Sequence, residues 1–324
     1  MQASDALRNS ARKGVRTLER MVRRLRAFST GPTRWVALAL AIALFIAQCV
    51  IAAKHLPKTT LHVGPMIVLI GLGTVLNLAA NGVEYALVAR SLGQRPTTSE
   101  TFRVSFLSSL SNLLPIPGSM LVRSASLRLA GAGYRELVTA MGGQGFAFLS
   151  VTGTLTGIIL LLTGNPIAGV AALLGGVACS VASIRLMARV TDDPAAATGR
   201  LLLGETFVAA VTGLRIFIAA LVLGHTLSIG AVAGLTAASV AATATGIFPG
   251  GLGIREAFSG AVSPLVGLAV SLGILIGAVD RVCFLVGLGL LGAGLAVTRP
   301  GRKLLGSSSP DREVVQEPNH APAE

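Results

Sequence analysis

Arg123 and Arg255 stand in matching settings, Pro117-Gly118-Ser119-Met120-Leu121-Val122-Arg123 and Pro249-Gly250-Gly251-Leu252-Gly253-Ile254-Arg255. Each reads Pro-Gly, three residues, a β-branched apolar residue, then arginine, with one copy in each half of the chain. A guanidinium is a planar, permanently charged fork suited to phosphate. A Pro-Gly break frees backbone N–H groups, and glycine lets a ligand approach the main chain. A helix starting near Gly253 would aim the positive end of its dipole at the same spot. Together these favour an anionic headgroup over a sugar or a cation. Glu256 is placed to restrain Arg255, to couple to protons, or to contact an amine on the ligand. Snorkelling of arginines near helix ends is the plainer account, but it leaves the shared spacing unexplained. The only other Pro-Gly, Pro300-Gly301, lies in the tail.

Further polar residues interrupt otherwise apolar runs. Thr74, Asn77, Asn81 and Glu84 follow at spacings of three, four and three, which puts them on one helical face. Such a face must point into the bundle or a wet cavity, because facing lipid costs several kcal/mol. Interhelical glue and a substrate path account for it equally well. Glu205 and Arg215 share one apolar run but sit about 80° and roughly 15 Å apart on a helix. Each therefore needs a different partner, with Asp280 or Arg281 the candidates. Asp280 and Arg281 themselves fall near the middle of the last apolar run.

No catalytic constellation accompanies these residues. The chain has no GxxxxGK[ST], no GxSxG and no paired-histidine motif. Cys49, Cys179 and Cys283 lie singly in apolar runs and read as small buried side chains. Four scattered histidines show no metal-ligand spacing. The expectation is a protein that is not an enzyme and uses no metal or cofactor.

The elements that must position these side chains are membrane helices. Hydrophobic residues make up 52% of the 324 and charged residues 13%, and several runs exceed the ~18 apolar residues of a spanning helix. The net charge of +13 suggests nucleic acid only in a soluble protein. Here the arginines lie between the apolar runs, where they set topology instead. Spans are expected at about 34–53, 65–89, 138–163, 166–187, 201–224 and 271–298. Residues 104–130 are expected to form a re-entrant hairpin or a helix pair in the inner leaflet. Residues 228–270 are either two spans or a hairpin entering from outside. Only Lys54 and Lys58 fall in an outer loop, so both termini are expected in the cytoplasm. The fold class is an all-α polytopic membrane protein with about eight transmembrane helices and one or two re-entrant or broken segments. Two hairpins dipping from opposite faces would make an inverted repeat, a layout transporters use to build a site near the midplane.

Residues 1–33 form a basic amphipathic segment with eight arginines or lysines against two acids. They read as a helix on the anionic cytoplasmic leaflet, with a transit peptide as the rival. The transmembrane domain covers 34–298, and 299–324 reads as a disordered cytoplasmic tail. The Gly273 and Gly277 pair is expected to serve close helix packing.

With these residues placed, the chain resembles the flippase-like membrane domain of the lysylphosphatidylglycerol synthetase family. The first block runs Asn112-Leu-Leu-Pro115-Ile-Pro117-Gly118 to Arg123, Leu127 and Gly133, with Tyr134-Arg135-Glu136-Leu137 following. The second, Phe248-Pro249-Gly250-Gly251-Leu252-Gly253-Ile254-Arg255-Glu256-Ala257, is the more specific of the two. Arg281 is similar to a recurrent arginine of the family's last helix. The resemblance covers roughly 34–298 and implies transbilayer movement of an anionic or aminoacylated phospholipid or a polyprenyl-linked glycolipid in the cell membrane. It implies substrate contacts by Asn112, Pro115, Pro117, Gly118, Arg123, Pro249, Gly250, Gly251, Gly253, Arg255, Glu256 and Arg281. Asn77, Asn81, Glu84, Glu205, Arg215 and Asp280 would line or brace the cavity. Where the family often bears a charged pair, this chain reads Gly143-Gln144-Gly145. The family's soluble aminoacyl-transfer domain has no counterpart in this sequence, so lysyl transfer is not carried over. The partners expected are membrane lipids and a separate lipid-modifying enzyme, not nucleic acid. Two other classes remain open: a non-transporting subunit that presents lipid to an enzyme, and a secondary transporter of a small solute.

Overall fold

A computed structural model describes residues 33–54, 61–112, 118–245 and 253–297. The basic N-terminal segment, the tail, and Pro115, Pro117, Pro249, Gly250 and Gly251 lie outside the described residues. Among the described residues all regular structure is helical. The elements are α1 (Thr33–Lys54), α2 (Val63–Ser91), α3 (Thr98–Ser111), α4 (Gly118–Leu129), α5 (Tyr134–Leu162), α6 (Pro166–Met187), α7 (Pro194–Val222), α8 (Ile229–Thr245), α9 (Ile254–Val262) and α10 (Val270–Val297). Five of them, α2, α5, α6, α7 and α10, are long and apolar enough to cross a membrane. By length and composition this is an all-α, multi-pass membrane architecture.

Helix boundaries follow local chemistry. Asp193 Oδ1 accepts from Ala196 N–H at 3.0 Å and Pro194 opens the first turn, so α7 begins before its apolar run does. Thr97 caps α3 by accepting from Glu100 N–H at 3.2 Å. A left-handed Gly164, φ 80°, turns α5 back into α6. Those two helices then pack along a seam of small residues. A Cβ on Gly157 would lie 2.9 Å from Gly169 O, and one on Gly153 would lie 3.1 Å from Ala172 O. Ser150 and Ser180 close the seam with a 2.6 Å hydroxyl pair. In lipid such contacts replace the hydrophobic drive that a soluble pair of helices would have.

The four remaining helices between α2 and α10 come as two short pairs. α3 and α4 have 14 and 12 residues, and they pack against each other. α8 has 17 residues and α9 only nine, and these also pack against each other. At 1.5 Å per residue α3, α4 and α9 are too short for a ~30 Å hydrocarbon core. In the sequence, prolines fall between the members of each pair, Pro115 and Pro117 in the first and Pro249 in the second.

α7 is the centre of the bundle. In its most apolar stretch 61% of residues are buried inside the protein, against 17% for α6, so α6 lies at the periphery and α7 mostly inside. Large apolar side chains turn outward instead, Leu162, Ile167, Leu203 and Ile229 among them. The interior correspondingly holds Arg123, Glu205, Arg215, Glu256 and Asp280.

α10 packs against α2 where the latter runs through one π-helical turn, Leu69–Gly73. Gly287 fits against Thr74 Oγ1 and the Ile70 carbonyl, with no room for a Cβ. Gly273 lies against Ser263 Oγ and the Ser259 carbonyl on the neighbouring segment. The expected packing role of the α10 glycines is thus visible. Gly287→Val should cost about 1–3 kcal/mol through overpacking, read as a lower Tm in detergent. Gly289→Ala, where nothing lies within 4 Å, should leave Tm unchanged. Equal Tm values for both variants would contradict this packing.

Candidate functional site

The polar face of α2 carries the site. Asn77 and Asn81, one turn apart, accept from arginines of two different helices. Arg215 Nη1 of α7 donates to Asn77 Oδ1. Arg123 Nη2 of α4 lies 3.4 Å from Asn81 Oδ1 and 3.5 Å from its carbonyl. Glu84, the next turn along, forms an ion pair with Arg123 Nη1 at 2.9 Å. One helical stripe therefore joins two charge clusters.

The first cluster contains three arginines and two carboxylates. Asp280, fully buried on α10, receives Arg215 Nη2 at 2.8 Å on one oxygen and Arg255 Nη2 at 2.9 Å on the other. This supplies the separate partner that Arg215 needs. Arg215 also lies over the Phe284 ring, 4.9 Å from its centroid. Arg281 Nη1 stands 3.7 Å from Glu256 Oε1, close enough for ion pairing but beyond hydrogen-bond distance. The Asp280 contacts are short, yet among the described residues neither oxygen accepts an aligned hydrogen bond, and Arg215 Nε and Arg255 Nε are buried without acceptors. The cluster thus keeps one positive charge in excess and several unused donors.

The second cluster has the opposite balance. Gln144 Nε2 of α5 donates to Glu84 Oε1 and lies 3.5 Å from Glu205 Oε1 of α7. Arg123 is the one arginine there against two carboxylates. Glu205 is 3% exposed, and its second oxygen is buried without a partner.

The two breaks deliver their arginines differently, despite equal spacing in sequence. α4 starts at Gly118, so Arg123 sits well inside the helix. α9 starts at Ile254, so Arg255 sits in its first turn. Gly253 explains the delay. Its φ of 80° is the left-handed conformation that glycine tolerates, and a Cβ there would meet Leu44 Cδ2 at 2.9 Å. Glu256 Oε2 accepts from Gly253 N–H at 2.8 Å, and Gln48 Nε2 of α1 lies 3.2 Å from Gly253 O. Glu256 is therefore a helix cap as well as a partner of Arg281. Asn112 Oδ1 likewise accepts from Ser119 N–H at 3.0 Å, and Gly118 lies against Ser111 with no space for a side chain. These two contacts hold the start of α4 against the end of α3.

The structure thus brings Arg123, Asn77, Asn81, Glu84, Glu205, Arg215, Arg255, Glu256, Asp280 and Arg281 into one buried lattice. It does not place Arg123 and Arg255 on a shared partner. Both are mostly buried; the side chains are 10% and 16% exposed. Sequence reasoning assigned no role to Gln48 and Phe284 and treated Gln144 only as a departure. A glutamine inside an apolar run was the available signal, whereas Phe284 carried none.

Beside the lattice lies an apolar cavity of about 610 Å³. Ser150, Thr154, Leu202, Thr206, Gly213 and Val232 contribute to its wall. α7 separates the two regions, with Leu202, Thr206 and Gly213 toward the cavity and Glu205 and Arg215 toward the charges.

No protein-family model matches the chain, and no curated protein is significantly similar to it.

Asp280 neutralises two arginines, so its loss should be the most damaging single change in the lattice. Asp280→Ala should cost about 3–5 kcal/mol, as expected for a buried charge left unpaired. Arg281→Met should cost much less, because its ion pair is long. Thermal unfolding in detergent measures both, and an Asp280→Ala variant as stable as wild type would contradict the pairing.

Proposed function

We propose that the chain is a lipid translocase, which takes an anionic headgroup into its polar lattice and helps it across the membrane without chemical conversion. The observation that carries this reading is the three-arginine cluster around Asp280. A surplus guanidinium charge inside apolar helices favours an anion, since the alternative is an unneutralised charge in hydrocarbon. A phosphodiester brings one negative charge and several acceptor oxygens, matching the excess charge and the unused donors on Arg255 and Arg281. The apolar cavity along the other face of α7 offers room for acyl or polyprenyl chains. Of the two arginines in the repeated motif, Arg255 is the better phosphate ligand and Arg123 is the more fully neutralised. The substrate class remains that of the family resemblance: an anionic or aminoacylated phospholipid, or a polyprenyl-linked glycolipid.

The topology belongs to the same reading. Six full crossings (α1, α2, α5, α6, α7 and α10) and two broken pairs (α3–α4 and α8–α9) give eight inserted units, with both termini in the cytoplasm of a cell-membrane protein. The pairs enter from opposite faces as an inverted repeat.

One observation favours a second reading. Arg123, Arg215, Arg255 and Arg281 each have a carboxylate of this chain nearby, which suits a static brace in a subunit that presents lipid to a separate enzyme. Proteoliposomes separate the two. Wild type should scramble a fluorescent anionic phospholipid faster than a zwitterionic one. Arg255→Ala should slow it about tenfold or more, given the ~1.5–3 kcal/mol of a hydrogen bond to a charged group. Arg123→Ala should slow it less. Equal scrambling by wild type and both variants, each folded by size-exclusion chromatography, would remove the arginines from transport and favour the brace.

A further inference from the structure

We propose that Glu205, with Glu84 and Gln144, forms a proton-binding site in the core, and that Glu205 holds its proton in the arrangement seen here. Four observations carry this. Glu205 is 3% exposed, so an ionised carboxylate would be stripped of water. Its Oε2 is buried without a hydrogen-bond partner. Its other oxygen converges with Glu84 Oε1 on one amide nitrogen, Gln144 Nε2. The Glu84 and Glu205 carboxyl groups are thereby held side by side at that nitrogen. Two ionised carboxylates so placed repel each other, and a proton on one of them removes that repulsion.

Among the described residues the surroundings supply no other compensation. Arg123 is engaged by Glu84 at 2.9 Å. From α5 the polar group at the pair is the neutral Gln144 amide. From α6 the polar group turned toward α7 is the Ser183 hydroxyl, near Thr198, while Arg185 lines a separate cavity with Arg189. α8 contains no ionisable residue between 229 and 245. On α7 itself Arg215 is held by Asp280 of α10 and Asn77 of α2. Arg281 and Glu256 pair with each other. With the proton, Glu84, Arg123 and Glu205 sum to neutrality; without it they carry one negative charge.

The site also has an exit and a consequence. Glu84 is 15% exposed at its side chain, so a proton leaves Glu205 for water by way of Glu84. Once ionised, Glu205 competes with Glu84 for Arg123, and Arg123 is the guanidinium that ties α4 to α2 through Asn81. Proton loss therefore loosens the first broken pair from α2. This inference does not depend on the lipid being moved, only on the geometry of the cluster.

Infrared spectroscopy of the full chain in lipid, titrated from acid to alkaline pH, tests it. Wild type should show the carbonyl stretch of a protonated carboxylic acid at neutral pH, shifted in heavy water and lost as pH rises. Glu205→Gln, which keeps the shape and mimics the protonated form, should fold and lack that band. The Tm of wild type should fall as pH rises above the ordinary carboxylate range and level off once the band is gone, because between those limits the folded state holds a proton the unfolded chain has released. Glu205→Gln should lose that dependence. Absence of the band in wild type, its persistence in Glu205→Gln, or a Tm that responds to sodium at fixed pH and not to pH would overturn the proposal.

Discussion

Charge inside hydrocarbon has to be neutralised by the protein itself, and this constraint organises the whole bundle. Eight ionisable side chains converge from α2, α4, α7, α9 and α10, and each arginine meets a carboxylate from another helix. Such pairs contribute little net stability once desolvation is counted, but removing one partner is costly. Their effect is to fix which helices meet, and at what depth. α2 is the spine of this arrangement, because Asn77, Asn81 and Glu84 address three successive turns to arginines on two other helices.

The uneven division of charge gives the lattice its chemical character. Around Asp280 positive charge is in excess; around Gln144 negative charge is. An anion at the first and a proton at the second would each bring the local sum to zero. α7 joins the two clusters, carrying Glu205 and Arg215, and it also walls the apolar cavity. A headgroup, its counter-charge and its hydrocarbon chains would then be handled by adjoining faces of one central helix.

Much of this was legible in the sequence, for identifiable reasons. The α2 stripe followed from spacing alone, since helical periodicity is strict and hydrocarbon forbids the outward choice. The need for a remote partner for Arg215 followed from the same geometry, and Asp280 fills it. The long spans were readable from hydropathy. Other features depend on contacts between distant segments, which a linear sequence does not display. The repeated Pro-Gly motif predicted equivalent arginines, but the left-handed Gly253 delays the second helix, so Arg255 sits in a first turn and Arg123 does not. Gln144 looked like the loss of a charged pair; folded, it is the donor between two acids. Gln48 reaches Gly253 from a helix more than half the chain away. The Asn112 side chain, read as a ligand contact, accepts from the Ser119 backbone N–H at the start of α4.

The central claim is that the Asp280 cluster accepts an anionic headgroup, and a structure of the protein in lipid nanodiscs containing anionic phospholipid tests it most directly. The account predicts a phosphate within hydrogen-bond distance of Arg255 and Arg281, with acyl density along the α7 face of the apolar cavity. Lipid density confined to the outer surface of the bundle, with the Asp280 cluster closed on itself, would contradict it.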